Sequence, residues 1–232
     1  MEEVQRRLST LQSQLSQHPI FERLCHHDPL EHLASFARDL TFWVMTFQDL
    51  LRLNEERVED VELRKVAHFL RAGDAGHDKW FLNDLVKLTG YVPDGRWAFG
   101  PSHARTRDAS WALISEMHLA TRDFDRIILM LSLEAAAQAF FPKVAQYVGG
   151  PAVERGLVFF SSVHVESEGD HQLTPEQLER MLSRIPHTPS ELAATLAMLD
   201  RVQDAFARIF DAMEKSAAQE MEEVALRRAR TA

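Results

Sequence analysis

Residues 127–141, IILMLSLEAAAQAFF, decide the fold because they form the longest apolar stretch of the chain. Leu, Met, Ala, Glu and Gln all favour an α-helix, and the hydrophobic period is helical. The stretch is interrupted by Ser132, Glu134 and Gln138. We therefore expect a helix in the core of a bundle, and we expect no segment of the chain to approach membrane-spanning length.

The composition of the whole chain agrees with this stretch. Of its 232 residues 45% are hydrophobic, and only 9 are Gly and 9 are Pro. These values predict one all-α domain over residues 1–232, a bundle of about seven to eight helices with short connections. We expect an N-terminal helix over residues 1–20 and a long C-terminal helix over residues 189–228, followed by a frayed basic tail.

Capping motifs and glycines set the expected helix boundaries. Residues 28–31 (DPLE) and 188–191 (TPSE) have the pattern of helix N-termini. Residues 58–88 should form one helix that Gly73 and Gly76 weaken or bend.

The middle of the chain is expected to alternate between loops and helices. Residues 91–105 should form an ordered loop, and a helix should cover 108–147 with a break near 121–123. Another helix is expected over 152–170. No segment is convincing as a strand, and the best candidate is residues 156–165, GLVFFSSVHV, which are rich in β-branched and aromatic residues.

The charge and the cysteine content exclude several classes of function. The formal net charge is -9, which gives no basic surface for nucleic acid and repels anionic membranes. The single cysteine, Cys25, cannot form an internal disulfide, and the first residues lack the apolar run of a secretory signal. We therefore expect a cytoplasmic protein without nucleic-acid or membrane partners.

Two predicted helices carry histidine–carboxylate groups that suit a metal ion. His164, Glu168 and His171 are spaced by four and three residues, so they share one helix face. Asp74 precedes His77 by three residues, and acid-x-x-His pairs on facing helices build the dimetal sites of helical bundles. Two imidazoles and a carboxylate suit Fe(II), Mn(II) or Zn(II), and open positions favour iron that binds oxygen.

Glu134 is the third candidate, because it lies in the middle of the apolar stretch. A lone buried carboxylate is costly, so it needs a proton, a partner or a metal. Each feature also has a purely structural explanation. Glu134 could pair with Arg126 or Arg38, residues 74–77 could cap and pack a half-helix, and the polar groups of residues 164–171 could face solvent.

The order of these residues resembles the heme-oxygenase-like iron oxidases and oxygenases of the TenA-like superfamily. The resemblance covers roughly residues 28–171 and rests on an acid-x-x-His helix, a Glu on the next helix and a His-x-x-x-acid-x-x-His helix. It implies a heme-oxygenase-like bundle that binds one or two ferrous ions. The implied metal ligands are Asp74, His77, Glu134, His164, Glu168 and His171. The first acid is usually Glu in this family. Asp74 is shorter by one methylene, so its carboxylate would need a backbone movement to reach the same one of the two iron positions.

The resemblance further implies an oxidoreductase that uses iron and O2 to oxidise a small organic substrate, without heme. Aromatic residues could shape an apolar substrate pocket, although ordinary core packing is the alternative. These residues are Trp43, Phe47, Trp80, Phe140 and Phe160, together with Phe141 and Phe159. The N-terminal and C-terminal helices could also dock on a second subunit to form a homodimer.

Four other functions have to be weighed for such a fold, and one of them, a cofactorless oxidase of the pyrroloquinoline type, would leave the full set of ligand residues unexplained. A heme oxygenase needs glycine where its distal helix approaches heme, but no Gly lies between Asp123 and Val148. A thiaminase needs a cysteine nucleophile on a mid-chain helix, and Cys25 lies too early in the chain. A catalytically inactive binding or scaffold protein would keep only the fold, and iron binding distinguishes it from an oxidase.

Overall fold

The protein is a bundle of α-helices. A computed structural model describes residues 2–24, 28–169, 180, 182, 183 and 185–231, and for residues 23, 24, 168, 169, 220, 221 and 223–231 it describes the backbone alone. Among these residues every regular element is helical and no strand occurs, which confirms the predicted all-α class. Cys25 lies outside the described residues.

The described helices follow one another with short connections. They are α1 (Glu2–Ser16), α2 (Ile20–Leu24), α3 (Pro29–Ala37), α4 (Thr41–Arg57), α5 (Val61–Gly73), α6 (His77–Thr89), α7 (Gly95–Ala98), α8 (Ala104–Leu119), α9 (Asp123–Glu154), α10 (Ser162–Gly169) and α11 (Pro189–Thr231). Short 3-10 turns over Arg38–Leu40 and Pro101–His103 precede α4 and α8.

Both capping motifs start helices, as predicted. At the start of α3 the Asp28 carboxylate accepts the backbone N–H groups of Leu30 and Glu31 at 3.0 and 3.1 Å. At the start of α11 the Glu191 carboxylate accepts the Thr188 N–H at 2.7 Å, and the Thr188 hydroxyl accepts the Glu191 N–H at 3.2 Å. Helix α11 continues to Thr231, where a frayed tail was expected.

The helix expected over residues 58–88 is two helices, and the reason is Gly76. This residue has a φ of 96°, a left-handed conformation that a side chain disfavours and that no α-helix can contain. Helix α5 therefore ends at Gly73, and α6 begins at His77. The break places residues 74–77 at the junction of two helices rather than on one helical face.

Four further boundaries differ from the sequence-based expectation. The expected loop over 91–105 contains α7 and a 3-10 turn. The helix expected from 108 begins at Ala104, whereas the break expected near 121–123 is present at 120–122, between α8 and α9. Helix α9 continues past 147, with Gly149 at φ 48° and ψ -140° marking a kink. The helix expected over 152–170 is interrupted, because residues 155–161 form turns between α9 and α10, and the alternative of a strand at 156–165 does not occur.

Helix α9 is the central element of the bundle. Its 32 residues include Leu129, Leu133 and Phe140 in the core, and α9 packs against α1, α3, α10 and α11. An 18-residue window of α9 has a mean hydropathy of 1.4, so its length and composition match those of a membrane-spanning helix, contrary to our expectation. Because 56% of that window is buried inside the bundle, the apolar character of α9 is explained by core packing.

Candidate metal centre

A small cavity lies inside the bundle where α4, α9 and α11 meet the α5–α6 junction and α10. Its volume is about 70 Å3. Most of its wall is apolar, with Phe47 from α4, Phe140 from α9 and Phe210 from α11 as examples. Its polar lining consists of Gln48, Asp74, His77, Glu134 and His164. The cavity therefore brings four of the predicted metal-ligating residues to one place.

The α5–α6 junction positions Asp74 and His77. Asp74 caps the C-terminus of α5, and its backbone carbonyl accepts the side-chain N–H of Gln48 at 2.9 Å. The Asp74 Oδ1 atom lies 3.0 Å from His77 Nδ1, and both side chains are buried. The ring of Trp80, one turn further along α6, packs on His77 at 4.7 Å between centroids. His77 is thus held from one edge by a carboxylate and from one face by an indole.

His164 lies near the start of α10 and is 1% exposed. Its Nδ1 atom donates to the backbone carbonyl of Phe159 at 2.8 Å. Because a carbonyl can only accept, this contact places the proton on Nδ1 and makes Nε2 the nitrogen with a lone pair. The imidazole also packs against Phe141 at 4.0 Å and against His77 at 4.5 Å between centroids.

Glu134 lies between Leu133 and Ala135 in the middle of α9 and lines the cavity. A carboxylate in this position is surrounded mostly by the apolar wall and is expensive unless it interacts with a charge or a donor. Arg126, one of the two partners considered for it, donates instead to the Met117 carbonyl at 3.3 Å. Glu134 thus lines the same cavity as the two histidines.

Two of the six predicted ligands cannot be placed. The backbone of Glu168 belongs to α10, but its side chain lies outside the described part of the chain. All of His171 lies outside it. His164 and Glu168 remain one helical turn apart along α10.

The predicted pocket aromatics divide into two groups. Phe47 and Phe140 line the cavity, and so do Trp43, Phe141 and Phe159. Trp80 instead packs on His77 and lies edge-on to His164, and Phe160 is buried against Phe81 and Phe159. Sequence periodicity identifies all of these residues as interior, but it does not distinguish the cavity wall from the core behind it.

Sequence reasoning missed the contribution of α11 to the cavity. Phe206, Ile209 and Phe210 form one wall. Their spacing of three and four residues was a signal for a buried helix face. Nothing in the sequence indicates that this face meets α4 and α9 at a cavity rather than in solid core.

Among the described residues, the one group of three His, Asp or Glu side chains whose ligand atoms all lie within 4.8 Å of one another is away from the cavity. It consists of His18, Asp211 and Glu214. However, His18 Nδ1 accepts the backbone N–H of Ile20 at 3.2 Å, which places the imidazole proton on Nε2. The Nε2–H then donates to Asp211 Oδ1 at 3.1 Å. A metal on Nε2 would require His18 to give up one of these hydrogen bonds, so this group is better explained as a contact between the α1–α2 turn and α11.

In the comparison with known proteins, no family model and no curated protein matches the chain.

Proposed function

We propose that the interior cavity is a non-heme iron site and that the protein is an oxidase or oxygenase acting on a small organic substrate. The proposal includes a bundle of the heme-oxygenase-like type, as the ordered motif of acids and histidines implies. One observation carries it: two buried imidazoles from different helices line the same cavity as two carboxylates.

The chemistry of the donor set fits a ferrous ion. His164 donates from Nδ1 to the Phe159 carbonyl, and His77 Nδ1 lies 3.0 Å from Asp74. Metal-binding histidines typically donate one ring N–H to a carbonyl or carboxylate, which directs the other nitrogen to the metal. We assign Nε2 of both histidines as ligand atoms, with Glu134 as the carboxylate ligand. Asp74 then orients His77, a different role from the direct ligation expected from sequence.

The charges also fit. Two neutral imidazoles and the carboxylates of Asp74 and Glu134 can balance one divalent cation without a net buried charge. The resemblance adds Glu168 and His171 to the set, which would allow a second ion. When bound, ferrous iron supplies the capacity to react with dioxygen. The chain contributes the oriented imidazoles, the carboxylates and an apolar wall that excludes water.

The cavity dimensions favour non-heme iron over the alternatives considered. A volume of about 70 Å3 accommodates a few water-sized groups, far less than the several hundred Å3 of a pocket for a large cofactor such as heme. A scaffold protein, for its part, gives no reason to direct two histidines and two acids into an apolar interior, where each polar group costs stability.

Iron stoichiometry tests the proposal. The protein, purified without chelator and reconstituted anaerobically with Fe(II), should hold about one or two irons per chain. Changing His77→Ala should lower the Fe(II) affinity by more than about 100-fold, because a proposed ligand is lost, and the iron-loaded protein should consume dioxygen.

His68→Ala is the matched control, because His68 also pairs with a carboxylate, Glu55, but its side chain is 61% exposed. This variant should bind iron as the unchanged protein does. Absence of Fe(II) binding, or equal affinity in the His77→Ala and unchanged proteins, would favour the scaffold. A shift of the Soret band of hemin at one equivalent of protein would favour the heme-binding alternative.

A further inference from the structure

A carboxylate outside the cavity holds the turn that precedes His164. Asp84 on α6 is 0% exposed. Its Oδ1 and Oδ2 atoms accept the backbone N–H of Val158 at 3.0 and 2.9 Å, and Oδ2 also accepts that of Phe160 at 3.1 Å. The N–H of Phe159 interacts with the same carboxylate. A buried acid therefore replaces water for a run of consecutive backbone donors.

The turn held by Asp84 carries the acceptor that fixes His164. The Phe159 carbonyl, which accepts the Nδ1–H of His164 at 2.8 Å, belongs to the same run of residues. Ser161 closes the turn by donating its N–H and its hydroxyl to the Val158 carbonyl at 3.3 and 3.1 Å. The orientation of one peptide group thus connects Asp84 to the imidazole.

Helix α6 connects the two histidines of the cavity, because it carries both His77 and Asp84, the residue that holds the turn before His164. His77 begins α6, and Asp84 follows seven residues later, two helical turns along the same face. One end of that face presents His77 to the cavity, and the other end anchors the turn that leads into α10. A rigid helix of this length keeps the two anchoring points at a fixed separation.

We propose that Asp84 is a positioning residue that sets the ring orientation and the Nδ1–H tautomer of His164. The inference rests on the proposed function for its purpose, because a fixed tautomer matters most to an imidazole that binds a metal. Without the Asp84 carboxylate the buried N–H groups of Val158 and Phe160 would lack an acceptor, and the turn would have to rearrange to hydrogen-bond them. The Phe159 carbonyl would then no longer select one tautomer.

The Asp84→Asn variant tests this role. An amide has one acceptor oxygen, and its NH2 group faces backbone donors that it cannot satisfy. In metal-free protein labelled with 15N-histidine, at mildly alkaline pH, the His164 ring nitrogens should change from the Nδ1–H pattern to a mixture of both tautomers. Loss of such an outer hydrogen bond should also raise the Kd for Co(II), an optical probe for the Fe(II) site, about 10- to 100-fold.

Asp49→Asn is the matched control, because Asp49 is 71% exposed and pairs only with Arg52 among the contacts described for it. It should change neither the tautomer nor the Kd. An unchanged His164 tautomer in folded Asp84→Asn protein would overturn the proposal. If the unchanged protein binds no Co(II), the iron site fails, but the tautomer measurement on metal-free protein still decides the role of Asp84.

Asp84→Glu keeps the test decisive if the Asn variant does not fold. It retains the charge and the acceptors but displaces them by one methylene. The Co(II) Kd should then rise several-fold while the Nδ1–H tautomer persists. An unchanged Kd in this variant would count against the positioning role.

Discussion

His164 and His18 show how differently two histidines near acids can be used. Both make a hydrogen bond through Nδ1, but His164 donates to the Phe159 carbonyl, whereas His18 accepts the N–H of Ile20. The first contact leaves the lone pair on Nε2, and the second places a proton there. Proximity of acids and imidazoles therefore does not define a metal site; the backbone partner of each ring decides whether its outer nitrogen can bind a cation.

Replacing His164 or His18 by alanine tests the distinction between the two histidines, and His164→Ala has the largest expected effect. His164→Ala should lower the affinity for Fe(II) or Co(II) by more than about 100-fold, because a ligand is lost rather than a supporting contact. His18→Ala should leave the affinity unchanged, although His18 lies with Asp211 and Glu214 in a group of suitable geometry. Anaerobic titration monitored by calorimetry measures both. A His18 variant that loses the metal would invalidate the tautomer argument.

A smaller effect on metal affinity tells whether Asp74 binds the metal directly or only orients His77. In Asp74→Asn the amide oxygen can still accept the Nδ1–H of His77 but carries no charge, so the metal affinity should fall about 10- to 100-fold. Asp211→Asn is the matched control at the surface group and should have no effect. If Asp74→Asn loses metal as completely as His77→Ala does, Asp74 is a direct ligand.

The smallest expected effect concerns the pH dependence of stability. Burial raises the pKa of Asp84 above its ordinary value of 3.8, against the lowering effect of the Val158, Phe160 and Phe159 N–H groups. The native protein therefore keeps this proton at pH values where the unfolded chain has lost it. The contribution of Asp84 to the free energy of unfolding should fall as pH rises from 3.8 through the raised pKa.

Urea unfolding of the unchanged protein and of Asp84→Asn over this pH range measures that contribution as a difference. The advantage of the unchanged protein over the variant should shrink as pH rises. An advantage that grows with pH would show that the backbone donors outweigh the loss of water around the carboxylate.

Much of the fold could be predicted from the sequence because helix signals are local. The caps at Asp28 and Thr188 follow from residues within one turn, and both start helices as expected. Lengths and breaks were less predictable. The division between α5 and α6 depends on the positive φ of Gly76, and a glycine permits such a conformation without requiring it.

The candidate site was predictable in its parts but not in its geometry. Helical spacing identified residues 74–77 and 164–171, and the apolar context identified Glu134. That Asp74 lies against His77 Nδ1 depends on the helix break at Gly76. Asp84 was missed because its partners lie 74 and 76 residues away in sequence, and only the folded chain brings a buried acid to a backbone turn.

The size of the interior cavity has a consequence for how molecules enter it. A space of about 70 Å3 fits a diatomic gas, but an organic molecule of more than a few heavy atoms requires side chains to move aside. On the α4 and α11 sides the cavity is lined by bulky rings such as Trp43 and Phe206, which are in edge contact with a ring-centroid distance of 5.3 Å. We therefore expect that a larger guest can enter only when such rings rotate, so that the aromatic wall would limit the size of the molecules that reach the polar groups.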